Sequence, residues 1–487
     1  MATTRLLLLY LALLLSAAIA PLQAQQPEGD HPLPSDEAVR QAGAFRKVEQ
    51  SEEFRTIDTR MLDLPTAFQL ALDNNPSLRQ SLGSLELADL QIESAYNALN
   101  PTVYITLSDL YVNQDQRRSF NEQELETTLT IPIYNFGQVY WNARSAKLAR
   151  NQAGQDLRTT IQNLIQQVAS DYVQASLNQG LVEVSQLRVQ DRQAYLQQAG
   201  YLLEAGEIAE FETIQAESNL LAAQEDLSSS QQQAATALAQ LLSNLGLRPD
   251  AQLSLASLPT MEPPPDSIEE GMARALERRP EIISLQWQIE SQEALAVAYG
   301  RSNAPQLSVY TDYDGINTGA NYDPTWETGL QLTWSLFDGG AARNAARQAR
   351  AQAEILRAQL DGQVRQVALD VATAYAQLQQ LWPQIDLARK SLDKAKETLE
   401  VAQLRFKAGL SSGIELLTAQ DTLASARTSL AQAEANYRLA QINWRRAVSA
   451  DSPVQIPGNW VQKWEPLPGT ENGARSPAKS QKQRKKP

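Results

Sequence analysis

No proline interrupts residues 133–248, and residues 325–452 contain only Pro383. Proline removes a backbone donor and its ring collides with the preceding turn, so very long helices form only where it is scarce. Both stretches are dominated by Ala, Gln, Leu, Arg and Glu, all strong helix formers. Their apolar residues recur at three- and four-residue spacing. Leu157, Ile161, Leu164, Ile165, Val168, Tyr172 and Val173 form one stripe, and Leu360, Val364, Val367, Val371 and Tyr375 another. At ~1.5 Å per residue, a helix from about Gln138 to Leu203 is on the order of 100 Å long, a rod rather than part of a globular core.

The two stretches are copies of one unit. Asn75-Pro76 matches Arg279-Pro280, and Asn100-Pro101 matches Ala304-Pro305, both at an offset of 204. Beyond the next loop the offset becomes 203 and persists: Tyr134-Asn135-Phe136-Gly137 with Phe337-Asp338-Gly339-Gly340, Tyr172 with Tyr375, Ala205-Gly206 with Ala408-Gly409, Glu212 with Glu415 and Leu227 with Leu430. Gly180 aligns with Pro383, which predicts a kink or irregularity in both rods. Repeat 1 is assigned to 63–248 and repeat 2 to 267–452, each a helix, a strand pair and a long helical hairpin. A linker, 249–266, joins them. Residues 25–62 form a polar N-terminal segment and 453–487 an irregular basic tail.

Composition removes most chemistry. The 487 residues include no Cys and one His, His31, so Cys-based zinc sites, thiol nucleophiles, iron–sulfur centres and disulfides are excluded. His31 lies in the loose stretch Gly29-Asp30-His31-Pro32, which reads as a solvated tether. Glu269-Glu270 has no nucleophile or phosphate-cradling loop nearby and reads as an exposed helix face. No enzyme activity, cofactor or metal is expected. The net charge is −14, and an acidic body repels nucleic-acid phosphate. The basic tail from Arg475 to Lys486 reads as solvated.

Residues 1–24 carry Arg5, an apolar block from Leu6 to Leu15 and a small-residue ending, the pattern of a secretory signal cleaved after Ala24. No later stretch provides the roughly 18 uninterrupted apolar residues of a spanning helix. Each repeat instead holds two segments of period-2 alternation. Val103, Ile105 and Leu107 alternate with polar residues, as do Leu125, Leu129, Ile131 and Ile133. Their counterparts are Leu307, Val309 and Tyr313, then Leu330, Leu332, Trp334 and Leu336. Tyr104, Tyr111, Tyr134, Trp141, Tyr310, Trp326 and Phe337 suit an interfacial aromatic girdle. Four strands cannot close on themselves and lipid tolerates no open sheet edge, so closure requires several chains related by rotation.

Over roughly residues 60–450 these motifs resemble the TolC-like outer-membrane efflux proteins. The likeness rests on Trp334-Ser335-Leu336-Phe337-Asp338-Gly339-Gly340, on Arg405-Phe406-Lys407-Ala408-Gly409-Leu410-Ser411-Ser412-Gly413-Ile414-Glu415-Leu416-Leu417, and on the duplication. It implies a mainly α chain with a transmembrane β part. Three copies would form a helical barrel in the periplasm and a twelve-stranded β-barrel in the outer-membrane lipid, each chain giving four strands. It further implies a passive exit duct that meets a periplasmic adaptor and an inner-membrane pump.

The same resemblance places adaptor contacts at the tip turns, here Gly206, Glu207, Phe406, Gly409, Leu410 and Ser411. It places an acidic constriction at Glu415 and, by repetition, at Glu212, although Thr418 stands where some members carry a second acid. An acid in a first helical turn is also favoured by the macrodipole alone. Asn135, Gly137, Asp338, Gly339 and Gly340 mark the strand-to-helix turns. Glu207 and Glu210 face Leu410 and Gly413 in the alignment, so the two tips should differ in surface. The competing reading is a periplasmic coiled-coil adaptor or spacer, but an adaptor ordinarily has one hairpin and this chain has two. The cargo is not specified by these motifs.

Overall fold

Each repeat opens with two short helices whose boundary is an X-Pro pair, because the residue before proline is driven out of the α region. A computed structural model describes residues 61–112, 120–249, 251, 253–317, 322–408 and 410–449. The export signal, His31, Gly409 and the basic tail lie outside the described residues. In repeat 1, β1 (Met61–Leu62) leads into α1 (Leu64–Asn74) and α2 (Pro76–Asn97). The Asp63 carboxylate accepts from the Thr66 amide at 3.1 Å, and the Asn75 side chain accepts from Ser77 at 2.9 Å, so both helices start on capped amides. Strands β2 (Thr102–Val112) and β3 (Phe120–Tyr134) follow, then the long helix α3 (Gln138–Glu204) and the returning α4 (Glu210–Asn244).

Repeat 2 begins after β4 (Ser254–Leu255) and contains α5 (Glu269–Arg278), α6 (Pro280–Gly300), β5 (Gln306–Asn317), β6 (Tyr322–Thr333), α7 (Ala341–Lys407) and α8 (Gly413–Ala447). The chain is therefore mainly helical, and α3 and α7 are the expected rods. No described helix is long and apolar enough to cross a membrane.

The core lies where the short helices meet the rods. Leu62, Phe68, Leu72, Leu78, Val168, Leu241 and Leu245 bury one another around Tyr172. The Tyr172 hydroxyl is 2.8 Å from both the Leu62 and the Ala256 carbonyl oxygens, bracing a small parallel ladder of β1 on β4. The linker thus contributes a strand, which its composition does not announce. Repeat 2 reproduces the contact loosely: the Tyr375 hydroxyl donates to Asp266 O at 3.4 Å. A second shared contact closes each hairpin onto its short helices. The Asn75 side-chain amide donates to Asn244 O at 3.4 Å, and at the matching place the Arg279 Nε donates to Ala447 O at 3.0 Å.

The four long strands form one antiparallel sheet in the order β2-β3-β5-β6, leaving β2 and β6 as its edges. The pairings Thr106↔Glu126, Glu126↔Asp314, Thr128↔Asp312 and Asp312↔Glu327 define one polar face. The other face carries Val103, Ile105, Leu107, Leu330 and Leu332, all exposed.

Two expectations require correction. Trp334 and Leu336 lie beyond β6, because the ladder with β5 ends at Gln306↔Thr333, just after Pro305, and no partner strand remains. Trp141 lies in the first turn of α3, where Arg144 and Arg301 stack on its ring, rather than at a strand end. Both rods are continuous helices at the aligned positions, α7 across Pro383 and α3 across Gly180. Around the proline, Leu378, Ile385, Tyr437 and Ala440 pack together and Trp382 meets Tyr437 at 5.0 Å, which offsets the missing hydrogen bond.

Replacing Tyr172 by Phe keeps the ring and removes the brace. The expected cost is about 1–2 kcal/mol, read by chemical denaturation together with faster amide exchange at Ala256. Tyr375→Phe, which loses only the longer contact, should cost clearly less.

Candidate functional site

The two hairpin tips lie at the far end of the rods and hold most of the residues singled out in the sequence. At the first tip Gly206 takes φ +75°, the left-handed conformation that ends a helix with least strain. The Gly206 amide donates to Leu203 O and the Glu207 amide to Leu202 O, both at 2.9 Å, a Schellman arrangement that satisfies the last carbonyls of α3. At the second tip the Leu410 amide donates to Arg405 O at 2.9 Å, the counterpart of the Glu207 bond. Glu207 is exposed, and Leu410 is 72% exposed.

Glu212 and Glu415 occupy the first turns of α4 and α8, where unpaired amides favour a negative charge. Glu415 is engaged: Arg405 Nη1, at the end of α7, lies 2.9 Å from its carboxylate. Glu212 lies close enough to Tyr195 to act on it, and burial first, then this carboxylate, push the Tyr195 phenol above its ordinary range.

Tyr195, on α3, was not among the residues the sequence pointed to. It joins the two tips. Its ring lies 6.4 Å from that of Phe406, within a cluster that includes Ala402, Leu416 and Ala419. Phe406 therefore packs inward. The Tyr195 hydroxyl sits where a side chain at Gly413 would begin, so the hairpins meet at this closeness only because Gly413 has no Cβ. In the alignment Gly413 reads as a difference of surface, whereas in the fold it is a contact. The hydroxyl of Ser411 is buried without a hydrogen-bond partner.

Higher on the same seam, charged groups tie α3 to α8. Asp421 accepts from Arg188 at 3.0 Å and from Arg192 at 2.5 Å, while Gln420 accepts from Arg192 at 3.0 Å. Arg188 also reaches Asp226 on α4 at 2.9 Å. Arg192 is 5% exposed, so its charge depends on Asp421. No local sequence signal links Arg188 and Arg192 to Gln420 and Asp421, which lie more than two hundred positions away.

At the opposite end of the rods the strand-to-helix turns use left-handed backbone. Gly137 has φ +83° and Gly340 +88°, and Phe136 (+52°) stands where repeat 2 has Gly339 (+69°). The Asp338 carboxylate accepts from the Gly340 amide at 2.8 Å and the Ala342 amide at 2.7 Å. These bonds, the Ala342 one foremost, hold its pKa below the ordinary value. Asn135 contributes through its backbone carbonyl, which accepts from Gln138 at 3.1 Å.

The sequence profile of a family described as outer membrane efflux protein matches residues 67–247 and 272–449, one span in each repeat. The chain belongs to the outer membrane efflux protein family. It is accordingly an outer-membrane exit duct for efflux or secretion, and the adaptor or spacer reading is set aside. Alkaline protease secretion protein AprF of Pseudomonas aeruginosa is 24% identical, over 79% of this chain and 82% of its own. Protein CyaE of Bordetella pertussis is likewise 24% identical, over 74% and 78%. Among solved structures, the Campylobacter jejuni CmeC outer membrane channel superposes with a TM-score of 0.71 at 16% identity, over 82% of this chain and 88% of its own.

Two outcomes check the tip contacts. Asp421→Ala strands two arginines and should loosen the α3–α8 seam more than Arg192→Met, measured as amide exchange in both helices. Gly413→Ala should force Tyr195 out and destabilise the tips by about 1–3 kcal/mol, and adding Tyr195→Ala should recover most of that loss.

Proposed function

We propose that three copies of this chain form one continuous passive conduit, with a twelve-stranded β-barrel in the outer membrane and a helical barrel in the periplasm. The observation that carries this reading is the four-stranded sheet whose edges β2 and β6 have no partner strand among the described residues, with one face apolar and the other acidic. In hydrocarbon the edge groups of β2 and β6 need partners, and neighbouring copies can supply them. The polar face sets Glu126 against Asp314 and Asp312 against Glu327. Like charges directly opposite are tolerated only where water screens them, so this face lines the lumen.

The hairpins then reach into the periplasm. Phe211, Leu410 and Ile414 expose apolar surface at the tips, beside Glu207, Gly206 and Ser411, and this is where a periplasmic adaptor coupled to an inner-membrane pump would bind. Phe406 serves that surface from beneath. Glu415 and Glu212 would line the periplasmic entrance and favour cations there, with Arg405 offsetting the charge of Glu415 in the conformation described. Transport energy comes from the pump, with no cofactor in the duct.

A protease site inserted within residues 113–119, between β2 and β3, should be cleaved from outside intact cells. The same site placed at Ala205–Glu207 should be protected. Protection of both, in a protein that fractionates with soluble periplasmic material, would overturn the proposal.

A further inference from the structure

Charge is not spread evenly along the chain. Around the junction of strands and rods, residues 94–108, 127–155, 294–311 and 328–353 hold seven basic side chains and one acid, in a molecule whose net charge is −14. Arg144, Lys147 and Arg150 lie near the start of α3, Arg343, Arg347 and Arg350 near the start of α7, and Arg301 just after α6. The acid is Asp338, whose two oxygens are taken by the Gly340 and Ala342 amides. The offset of 203 sets Arg144 with Arg347 and Lys147 with Arg350, so the same helical face is basic in both rods.

These cations have little to pair with inside the chain. Arg150 meets Asp89 at 2.9 Å. Arg343, Arg347 and Arg350 are exposed and, among the described residues, form no ion pair. Further along α7 the rule is the opposite: Arg357, Arg389, Lys390, Lys394 and Lys396 each meet a carboxylate. Arg343 also stands in the first turn of its helix, where the macrodipole disfavours a cation. The anion that would balance this group has to come from outside the chain.

A chain of contacts leads from the apolar face of the sheet to the basic groups. Tyr134 stands opposite Leu307, and Leu307 opposite Leu332. The Tyr134 ring meets that of Phe136 at 4.7 Å, and Arg301 donates to the Phe136 carbonyl at 3.2 Å. Arg301 and Arg144 both lie over the Trp141 ring, at 5.7 and 5.4 Å, and Lys147 lies over Tyr96 at 5.2 Å. Leu336 and Phe337, at the matching turn of repeat 2, are 78% and 86% exposed. Apolar strand, aromatic ring and cation follow one another in the order in which a bilayer leaflet presents hydrocarbon, interface and phosphate.

We infer that this basic band binds the phosphate groups of anionic glycerophospholipids in the leaflet that faces the periplasm, with Arg343, Arg347 and Arg350 as its principal contacts. A guanidinium offers paired donors that match two phosphate oxygens, and Arg301 and Arg144 are already held in place by Trp141. The inference rests on the barrel reading and adds to it a class of lipid and a fixed depth, since the band sets where the rods leave the membrane.

The test compares the full chain with Arg343→Gln/Arg347→Gln/Arg350→Gln, and with Lys390→Gln/Lys394→Gln/Lys396→Gln as a control that removes the same charge elsewhere on α7. Each is purified in a neutral detergent, and thermal unfolding is followed after adding phosphatidylglycerol or phosphatidylcholine of the same acyl chains. Phosphatidylglycerol should raise the unfolding temperature of the native chain and of the control more than phosphatidylcholine does. That difference should fall by roughly half or more in the arginine variant, survive when the three arginines are changed to lysine, and shrink as salt is raised. An equal response of the native chain to the two lipids, an arginine variant that responds as the native chain does, or a difference indifferent to salt would each overturn the inference. The salt series decides even where the glutamine variant does not fold. Flotation separates the two readings: protein that floats with phosphatidylcholine vesicles but shows no preference keeps the barrel and loses the band, and protein that floats with neither lipid loses both.

Discussion

Hydrocarbon offers no hydrogen-bond partner to a peptide group, and this constraint governs the rest of the molecule. If the four strands in the order β2-β3-β5-β6 enter the outer membrane, as proposed above, β2 and β6 bring two rows of edge groups that no strand among the described residues pairs. Neither more packing nor more apolar residues can satisfy them, because only another strand can. The duplicated construction answers this economically. Strand β3 pairs with β5 across the repeat boundary, the kind of junction that the proposed ring would repeat between its members.

The two repeats keep the same backbone contacts while changing the side chains that make them. The bond to the end of the return helix comes from an asparagine in one repeat and an arginine in the other. The left-handed residue after that helix is Gly246 in repeat 1 and Ser449 in repeat 2, at φ +71° and +48°. Arg279 is almost wholly buried and meets Asp370 and Glu281, at 3.4 and 3.5 Å, as well as the Ala447 carbonyl. Asn75 does its capping with a neutral amide. Repeat 2 is thus the more ionic half at its base.

The rods were legible because the absence of proline and the 3.6-residue period act over scores of residues and no local choice contradicts them. The strands were legible for the same reason over shorter runs, but the end of β6 was not. Alternation continues through Trp334 and Leu336, whereas the strand stops where its partner begins after Pro305, a fact that belongs to the neighbour. At the tips, the left-handed Gly206 could be read from residue type. Arg405 facing Glu415 was within reach too, since the two flank one turn. Tyr195 against Gly413 and Arg192 against Asp421 were not, because each pair joins helices of different hairpins and neither member carries a local signature.

The matched helices have not drifted in length. Both rods contain 67 residues and both return helices 35. One extra turn in a single helix would move its end by ~5.4 Å, unseating Tyr195 from Gly413 and leaving one tip proud of the other. Insertions and deletions in these helices are therefore coupled: a change tolerated in one hairpin must be mirrored in the second. The distance this chain spans is inherited as a single quantity, fixed in four places at once.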